Sequence, residues 1–294
     1  MIKTICPVCK KPLIKKERSF LCENGHCFDI SKEGYVNLLH GKNKSGSLIG
    51  DNRDMALSRR DFLSKGYFSA LSEGLIGMIK EYTEGTPVLC DICCGEGWYG
   101  EQVRNSINCE LISFDISKEM LRLCAKRKSS DLCFVANGSS IPLESESVDL
   151  AFHLFAPFQE KEFSRIIKKG GTILTAVAGE NHLFELKELL YDTPYKNDEA
   201  PPVTESLTLK EKRKFTKKVT LTSKDDIQAL FRMTPYYYHT SDKDKAKIES
   251  LESLEVTTDF VVYGYKKMQN AECRMQNAEC RMQSAECSVQ NAEC

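Results

Sequence analysis

Apolar positions return at helical spacing in FSALSEGLIGMIKEY, which predicts a helix over 68–82. PVLCDI (87–92) follows as a short apolar run, then glycines, then a second helical pattern. LISFD (111–115), LCFVA (132–136), VDLAFHLF (148–155) and GTILTAVA (171–178) repeat the theme, with helix-length stretches between them. Strands separated by helices require crossovers, so the pattern predicts a mostly parallel sheet. KKGG (168–171) predicts a tight turn before the fifth run. FTKKVTLTS (215–223) and SLEVTTDFVVYGYKK (253–267) read as later, antiparallel strands on either side of a helix over 224–232.

This α/β region is expected to occupy 55–267. Ahead of it, residues 1–40 hold only short apolar runs among cysteines and lysines, the pattern of a small metal-stapled module. GKNKSGSLIGDNRD (41–54) reads as a linker. Beyond 267 the pattern becomes a seven-residue repeat, with MQNAECR at 268 and 275, MQSAECS at 282 and VQNAEC at 289. Fewer than four heptads with Ala at one seam position make a poor coiled coil. The expectation for 268–294 is a disordered or marginally helical tail without function, and its four cysteines are set aside.

Composition adds little until it is read locally. The 294 residues are 41% hydrophobic and 28% charged with a formal net charge of −1, an ordinary globular balance that names no partner. Residues 1–49, however, hold nine Lys or Arg against four Asp or Glu. Lys15, Lys16 and Arg18 form the centre of that surplus, a surface suited to a phosphate backbone or simply to solvent. Lys3 and Cys6 arrive before any apolar leader forms, and no window approaches the ~20 apolar residues needed to span a bilayer. A cytoplasmic chain with reduced or metal-bound cysteines and no membrane partner is therefore expected.

The glycines after the first strand carry the first chemistry. DICCGEGWYG ends a strand on Asp91 and brings Gly95 and Gly97 to the start of a helix, where backbone amides can approach a ligand. The spacing D-x-C-x-G-x-G is of the methyltransferase type, in which the glycines admit the amino-acid part of S-adenosylmethionine. Asp115 ends the second strand, where a carboxylate can take both ribose hydroxyls. Asn137 and Gly138 end the third, where an adenine edge would lie. The order and spacing together predict an α/β, Rossmann-like class I S-adenosylmethionine-dependent methyltransferase. Cys93 stands where glycine is usual, and a positive φ there costs about 1–2 kcal/mol.

The second chemistry is metal binding. Cys6-x2-Cys9 and Cys22-x3-His26 are two ligand pairs twelve residues apart, each able to sit on a tight turn. Soft sulfur and imidazole donors suit tetrahedral Zn²⁺ in a closed structural site. Cys27 is the rival to His26, which is favoured because three residues after Cys22 match a common loop. A module this small has too little core to fold without the metal.

With both sites in hand, the chain resembles the RlmA family of 23S rRNA guanine-N1 methyltransferases. The stretches that carry it are CPVCKKPL, CENGHCFDISKEGYVNLL (22–39), GDNRDM (50–55), RRDFLSKGYF (59–68), DICCGEGWY (91–99), FAPF (155–158), KKGG, HLFELKELLY (182–191) and MTPYYY (233–238). The resemblance covers about residues 4–267. It implies zinc on Cys6, Cys9, Cys22 and His26, and cofactor contacts at Gly95, Glu96, His182 and Phe68, the last commonly Tyr in the family. It also implies a homodimer that embraces a 23S rRNA hairpin, and the basic zinc module is then expected to grip the backbone. His153 and His239 receive no such support and read as structural.

Guanine N1 must lose a proton before it attacks the sulfonium methyl, and the base must be held in line. FAPF occupies the place where related enzymes present carbonyls and an aromatic face to a base, so Phe155, Ala156 and Phe158 are expected to line the guanine pocket. No side chain stands out as general base, and solvent can take the proton. Two other readings share the motifs: a small-molecule methyltransferase capped by structural zinc, and an inactive rRNA-binding or assembly factor, suggested by Cys93.

Overall fold

The computed structural model describes residues 2–40 and 53–268, so most of the expected linker and nearly all of the repeat tail lie outside the described residues. The chain begins with three antiparallel strands, β1 (Ile14–Lys16), β2 (Ser19–Leu21) and β3 (Cys27–Asp29). β4 (Tyr35–Asn37) then leaves this small sheet for the large one. α1 (Arg53–Ser64) and α2 (Ser69–Tyr82) precede β5 (Val88–Ile92), α3 (Trp98–Ser106), β6 (Glu110–Asp115), α4 (Lys118–Arg127) and β7 (Leu132–Val135). Next come β8 (Val148–Leu154), α5 (Glu160–Ile166), β9 (Ile167–Ala178), α6 (Phe184–Leu190) and β10 (Leu207–Leu221). α7 (Lys224–Arg232), α8 (Tyr236–His239), α9 (Asp242–Glu249) and β11 (Leu254–Lys267) complete the order.

The large sheet has the order β10-β11-β9-β8-β5-β6-β7-β4. β4 through β9 pair parallel, and β11 lies antiparallel between β9 and β10. Strand order reverses beside β5, so the crevice at its C-terminal end is the natural ligand position of this topology. The apolar runs of β5 to β8 are buried because helices or the ribbon cover both faces of the sheet.

The two faces are covered by different means. Leu89, Leu111, Phe152 and Phe260 point to one face, against Phe62, Leu71, Leu75, Trp98 and Phe231 of the helices. Ile92, Phe114, Phe134 and Val261 point to the other, where α5 contributes Phe163 and Ile166. Cys6, Leu13, Phe20 and Cys22 of the small sheet pack into that same cluster. Thr4 bridges Leu143 and the Ile5 amide donates to the Pro142 carbonyl at 3.1 Å, fastening the N-terminal segment to the loop before β8. β4 extends the large sheet through the register Val36↔Phe134. The first 40 residues are thus built into the sheet at an edge and on a face.

Local chemistry explains the helix starts. Ser117, Ser223 and Ser241 each accept an amide hydrogen two or three residues into α4, α7 and α9. Three sequence expectations change. KKGG is not a turn between elements: it lies inside β9, where the ladder steps from Val148↔Ile167 to Leu150↔Thr172 and residues 168–171 bulge opposite Asp149. Gly170 takes φ 75°, and a Cβ on Gly171 would stand 2.7 Å from the Asp149 carbonyl oxygen. β10 starts at Leu207 rather than 215: it is an edge strand throughout, and the charged run KEKRK (210–214) in its first half hides the strand pattern. Finally, Arg53 and Asp54 belong to α1 and not to a linker. No helix among the described residues is long and apolar enough to cross a membrane.

Candidate cofactor site and metal cluster

The turn after β5 passes through left-handed backbone three times, at Cys93 (φ 56°), Gly95 (φ 56°) and Gly97 (φ 85°). Glycine adopts this freely, and at Gly97 a Cβ would also meet Cys124 Sγ at 2.6 Å. Cys93 carries the strain that its position raises. Its thiol is pushed up to about 12 by burial and by the carboxylates of Asp115 and Asp91, so it is a packed neutral group rather than a nucleophile.

The turn gathers three carboxyls. Asp115, at the end of β6, accepts the Gly95 amide at 2.9 Å and the Ser117 amide at 2.7 Å. Asp91 is 2% exposed, and its Oδ2 has no hydrogen-bond partner. Burial, with Asp115 and Glu96 nearby, lifts its carboxyl well above the usual range. Glu96 is likewise buried. Its Oε2 receives the Arg127 guanidinium at 2.5–2.8 Å while its Oε1 is unpartnered. Burial raises the Glu96 carboxyl against the pull of Arg127. Arg127 also reaches Glu101 at 2.5 Å, which ties α4 to the start of α3.

Two neighbouring cavities meet here. A small one of about 40 Å³ is bounded by Asp91, Cys93, Gly95, Glu96 and Tyr99, whose buried hydroxyl is also unpartnered. A larger one of about 430 Å³ lies between α6, the 195–197 segment and the 233–236 turn. Arg59 and Phe155 line both. Phe155 takes φ 57° to do so.

These features fit S-adenosylmethionine. The unpartnered acceptors of Asp91 and Glu96 suit its ammonium, and Arg59 suits its carboxylate. Asp115 ends β6 and Asn137 lies two residues past the end of β7, where ribose and adenine chemistry is expected. Asn137 is exposed and caps its own turn through the Ser139 amide at 3.0 Å. A Cβ on Gly138 would stand 3.8 Å from Cys93 Sγ, so the β7 end abuts the glycine turn.

The remaining expected residues divide. His182 lines the larger cavity; Phe68 lines neither. The two rings meet edge-on at 5.6 Å and both pack on Phe260. Phe68 is packed in the core at 3% exposure. The Asp259 amide donates to His182 Nδ1 at 3.2 Å, so the ring proton sits on Nε2. Burial brings His182 down to about 4, making it a neutral donor at physiological pH. Phe155 sits where a base pocket was expected, but Phe158 turns away to pack on Phe163 and Tyr265 at 5.2 and 5.8 Å. Ala156 follows Phe155 on the loop and lines neither cavity. His153 is buried and neutral, its Nδ1 3.1 Å from Thr175 Oγ1.

Cys6, Cys9, Cys22 and His26 bring one ligand atom each to within 4.8 Å of one another. Individual separations are 3.2 Å for Cys22 Sγ to His26 Nδ1, 3.6 Å for Cys6 Sγ to His26 Nδ1 and 3.7 Å between Cys9 and Cys22 Sγ. Donors bound at about 2.0–2.3 Å around a tetrahedral zinc stand at such spacings. The Lys11 amide brings Cys9 down to about 6, toward the thiolate that binds metal. Cys27 is exposed and faces Asp29 instead. Lys15, Lys16 and Arg18 are exposed on and beside β1, and among the described residues none is paired with a carboxylate.

Arg59, the Arg127–Glu96 pair and the buried Lys187 behind the larger cavity were not singled out in the sequence. Arg127 and Glu96 are 31 positions apart, and no local spacing signals such a pair.

This parallel sheet with its glycine turn, joined to a four-ligand cluster, defines a class I S-adenosylmethionine-dependent methyltransferase carrying a zinc ribbon. The description "RlmA, N-terminal" matches residues 4–47 and "Methyltransferase domain" matches residues 90–175. The chain belongs to the RlmA family. It is 34% identical over 189 residues to a Streptomyces fradiae protein named 23S rRNA (guanine(748)-N(1))-methyltransferase, covering 63% of this chain and 66% of that one. Two relatives carry the 23S rRNA (guanine-N1)-methyltransferase name provisionally. One, from Micromonospora griseorubida, is 29% identical over 63% of this chain and 68% of its own. The other, YxjB from Bacillus subtilis (strain 168), is 24% identical over 86% of this chain and 93% of its own.

Two outcomes follow from the site. Asp91 has a folded-state pKa above its unfolded one, so the ligand-free fold loses stability as pH rises between the two values. A ligand ammonium favours the ionised carboxyl and reverses this. Cofactor binding should therefore release protons and tighten with rising pH, and calorimetry in buffers of different ionisation enthalpy reads both. Cofactor affinity that is flat with pH, without proton release, contradicts the assignment. Removing zinc with a chelator should lower the melting temperature of the whole chain in one transition, because the ribbon covers the sheet. An unchanged sheet melting separately from the ribbon would count against that coupling.

Proposed function

We propose that this chain transfers the methyl group of S-adenosylmethionine to N1 of a guanine in a 23S rRNA hairpin. One observation carries the reading: a glycine-turn cofactor site and an RlmA-type ribbon occur together in a chain that aligns with relatives named for that reaction. When bound, the cofactor supplies an electrophilic methyl group. The chain must hold the guanine, favour loss of its N1 proton and keep water away.

The larger cavity has the size and walls for a purine. Phe155 offers a ring at the junction with the cofactor site, and Tyr195 and Tyr236 offer two more. Loss of the N1 proton spreads negative charge over N1 and O6. Arg59 and the Nε2–H of His182 are donors on that wall, whereas among the described residues no carboxylate lines it. Asn197 is already occupied: its amide donates to the Gly179 and His182 carbonyls and its oxygen accepts from Lys187. The proton therefore leaves to solvent, and the cavity acts by stabilising the anion. His182 is a donor in this scheme, since its Nδ1 lone pair is taken by the Asp259 amide.

The exposed Lys15, Lys16 and Arg18 would meet the hairpin backbone, with the enzyme acting as a homodimer in the cytoplasm as the family resemblance implies. The decisive experiment incubates 23S rRNA fragments with enzyme and cofactor and maps primer-extension stops. A stop at one hairpin guanine, dependent on cofactor, is expected; methylation of small molecules without any stop on RNA would reject the reading. In the same assay Lys15, Lys16 and Arg18 changed together to Ala should weaken RNA binding and lower the slope of log affinity against log salt by about 2.

A further inference from the structure

Lys187 on α6 is fully buried, an unusual place for an ammonium without a carboxylate beside it. Its Nζ donates to the Tyr195 carbonyl at 2.8 Å and to Asn197 Oδ1 at 2.7 Å. It also lies 4.1 Å from the Tyr195 ring centre and 5.6 Å from that of Tyr236. Tyr195, Asn197 and Tyr236 are all wall residues of the larger cavity. The charge thus stands directly behind the surface on which the target base is expected to lie.

The surrounding acids are engaged elsewhere. Glu185, on the same helix, accepts from the Thr257 hydroxyl and amide, and Glu188 is exposed. Asp259 of β11 accepts from the Asn181 amide and the Thr216 hydroxyl and pairs with Lys214 at 3.1 Å. On α9, Lys247 pairs with Asp244. Tyr195 and Tyr236 face the ammonium, Tyr191 packs on their two rings at 5.8 and 6.2 Å, and His182 lies near enough to feel the charge. Its field reaches the cavity wall: Lys187 is one of the causes that hold His182 neutral.

We propose that Lys187 is the positioning residue that prepares the larger cavity for an anionic guanine. It fixes the Tyr195–Asn197 wall and places an uncompensated positive charge behind it, favouring the base that has lost its N1 proton. The inference rests on the guanine-N1 reading above. It also explains how proton loss is assisted in a cavity whose walls carry no base. Burial lowers the Lys187 pKa, yet both of its oxygen partners are acceptors only and hold it as a donor.

The test is the pH dependence of single-turnover methylation at saturating cofactor and RNA. Wild type, Lys187→Gln and Lys187→Arg are compared; Gln keeps a donor toward the Tyr195 carbonyl without the charge. His182 titrates at about 4 and Tyr236 at about 12, so neither interferes near neutrality. The ascending limb should move upward by about one pH unit in Lys187→Gln, converge with wild type at high pH, and stay near wild type in Lys187→Arg. A purely structural role predicts instead the same fractional loss at every pH, and that result, or no loss, overturns the proposal.

Should Lys187→Gln fail to bind cofactor by calorimetry, the wild-type limb decides. It must lie below the N1 titration of the same guanine in the free hairpin, measured by NMR, and coincidence of the two overturns the proposal. Absence of any wild-type methylation of the hairpin is a different result, which removes the guanine-N1 reading itself.

Discussion

The eight-stranded sheet has two apolar faces, and the helices of the described residues fully cover only one. On the other, α5 covers part, and Cys6, Leu13, Phe20 and Cys22 of the ribbon cover more. Burying each large apolar side chain contributes about 1.5–3 kcal/mol as an upper value, so this contact matters to a domain of ordinary stability. Yet the ribbon that provides it is built on three-residue strands and turns that cannot hold together alone. The four-ligand cluster makes them rigid. A metal held there would therefore act on the sheet, because the ribbon it fixes packs into the cluster that holds Phe114 and Phe134, and these side chains belong to the strands that lead to Asp115 and Asn137.

From that sheet the polar side chains separate into two groups. Asp91, Glu96 and Asp115 collect at the glycine turn, with Arg127 neutralising only one carboxylate oxygen of Glu96. Arg59, His182 and Lys187 stand around or behind the neighbouring cavity. The first group favours a cation and the second favours an anion. A sulfonium amino acid and a deprotonated purine have those charges, and Arg59 and Phe155 stand at the boundary between the two cavities. Cys93 remains the exception: its positive φ costs about 1–2 kcal/mol, and its buried thiol offers only packing against the β7 end in return.

Much of this was legible in the residues. The apolar runs matched β5 to β9 closely, because buried parallel strands leave a continuous signal that charged edges do not. The ligand pairs Cys6–Cys9 and Cys22–His26 were legible because each is local and metal chemistry fixes the spacing. What was hidden depends on distant partners. Nothing in GYVNLL announces that Tyr35–Asn37 pairs with a strand nearly 100 residues later. Phe158 and Phe155 are equally aromatic and three apart, and only Phe163 and Tyr265 decide which one faces the core. Lys187 reads as one of many helix-surface lysines until Tyr195, Asn197 and Tyr236 close around it.

The antiparallel end of the sheet then acquires a chemical role. Asp259 lies on β11, and its backbone amide selects the tautomer of His182 while its carboxylate holds the Asn181 amide in the same turn. A carboxylate directly on His182 would have made a charged imidazolium or a stronger base. A backbone amide does the reverse, leaving a neutral donor whose Nδ1 can accept no substrate proton. Lys214 and Thr216 of β10 occupy the Asp259 carboxylate and keep it from that competing role. The β10–β11 pair thus leaves His182 a donor rather than a base, which suits the role proposed for the buried Lys187.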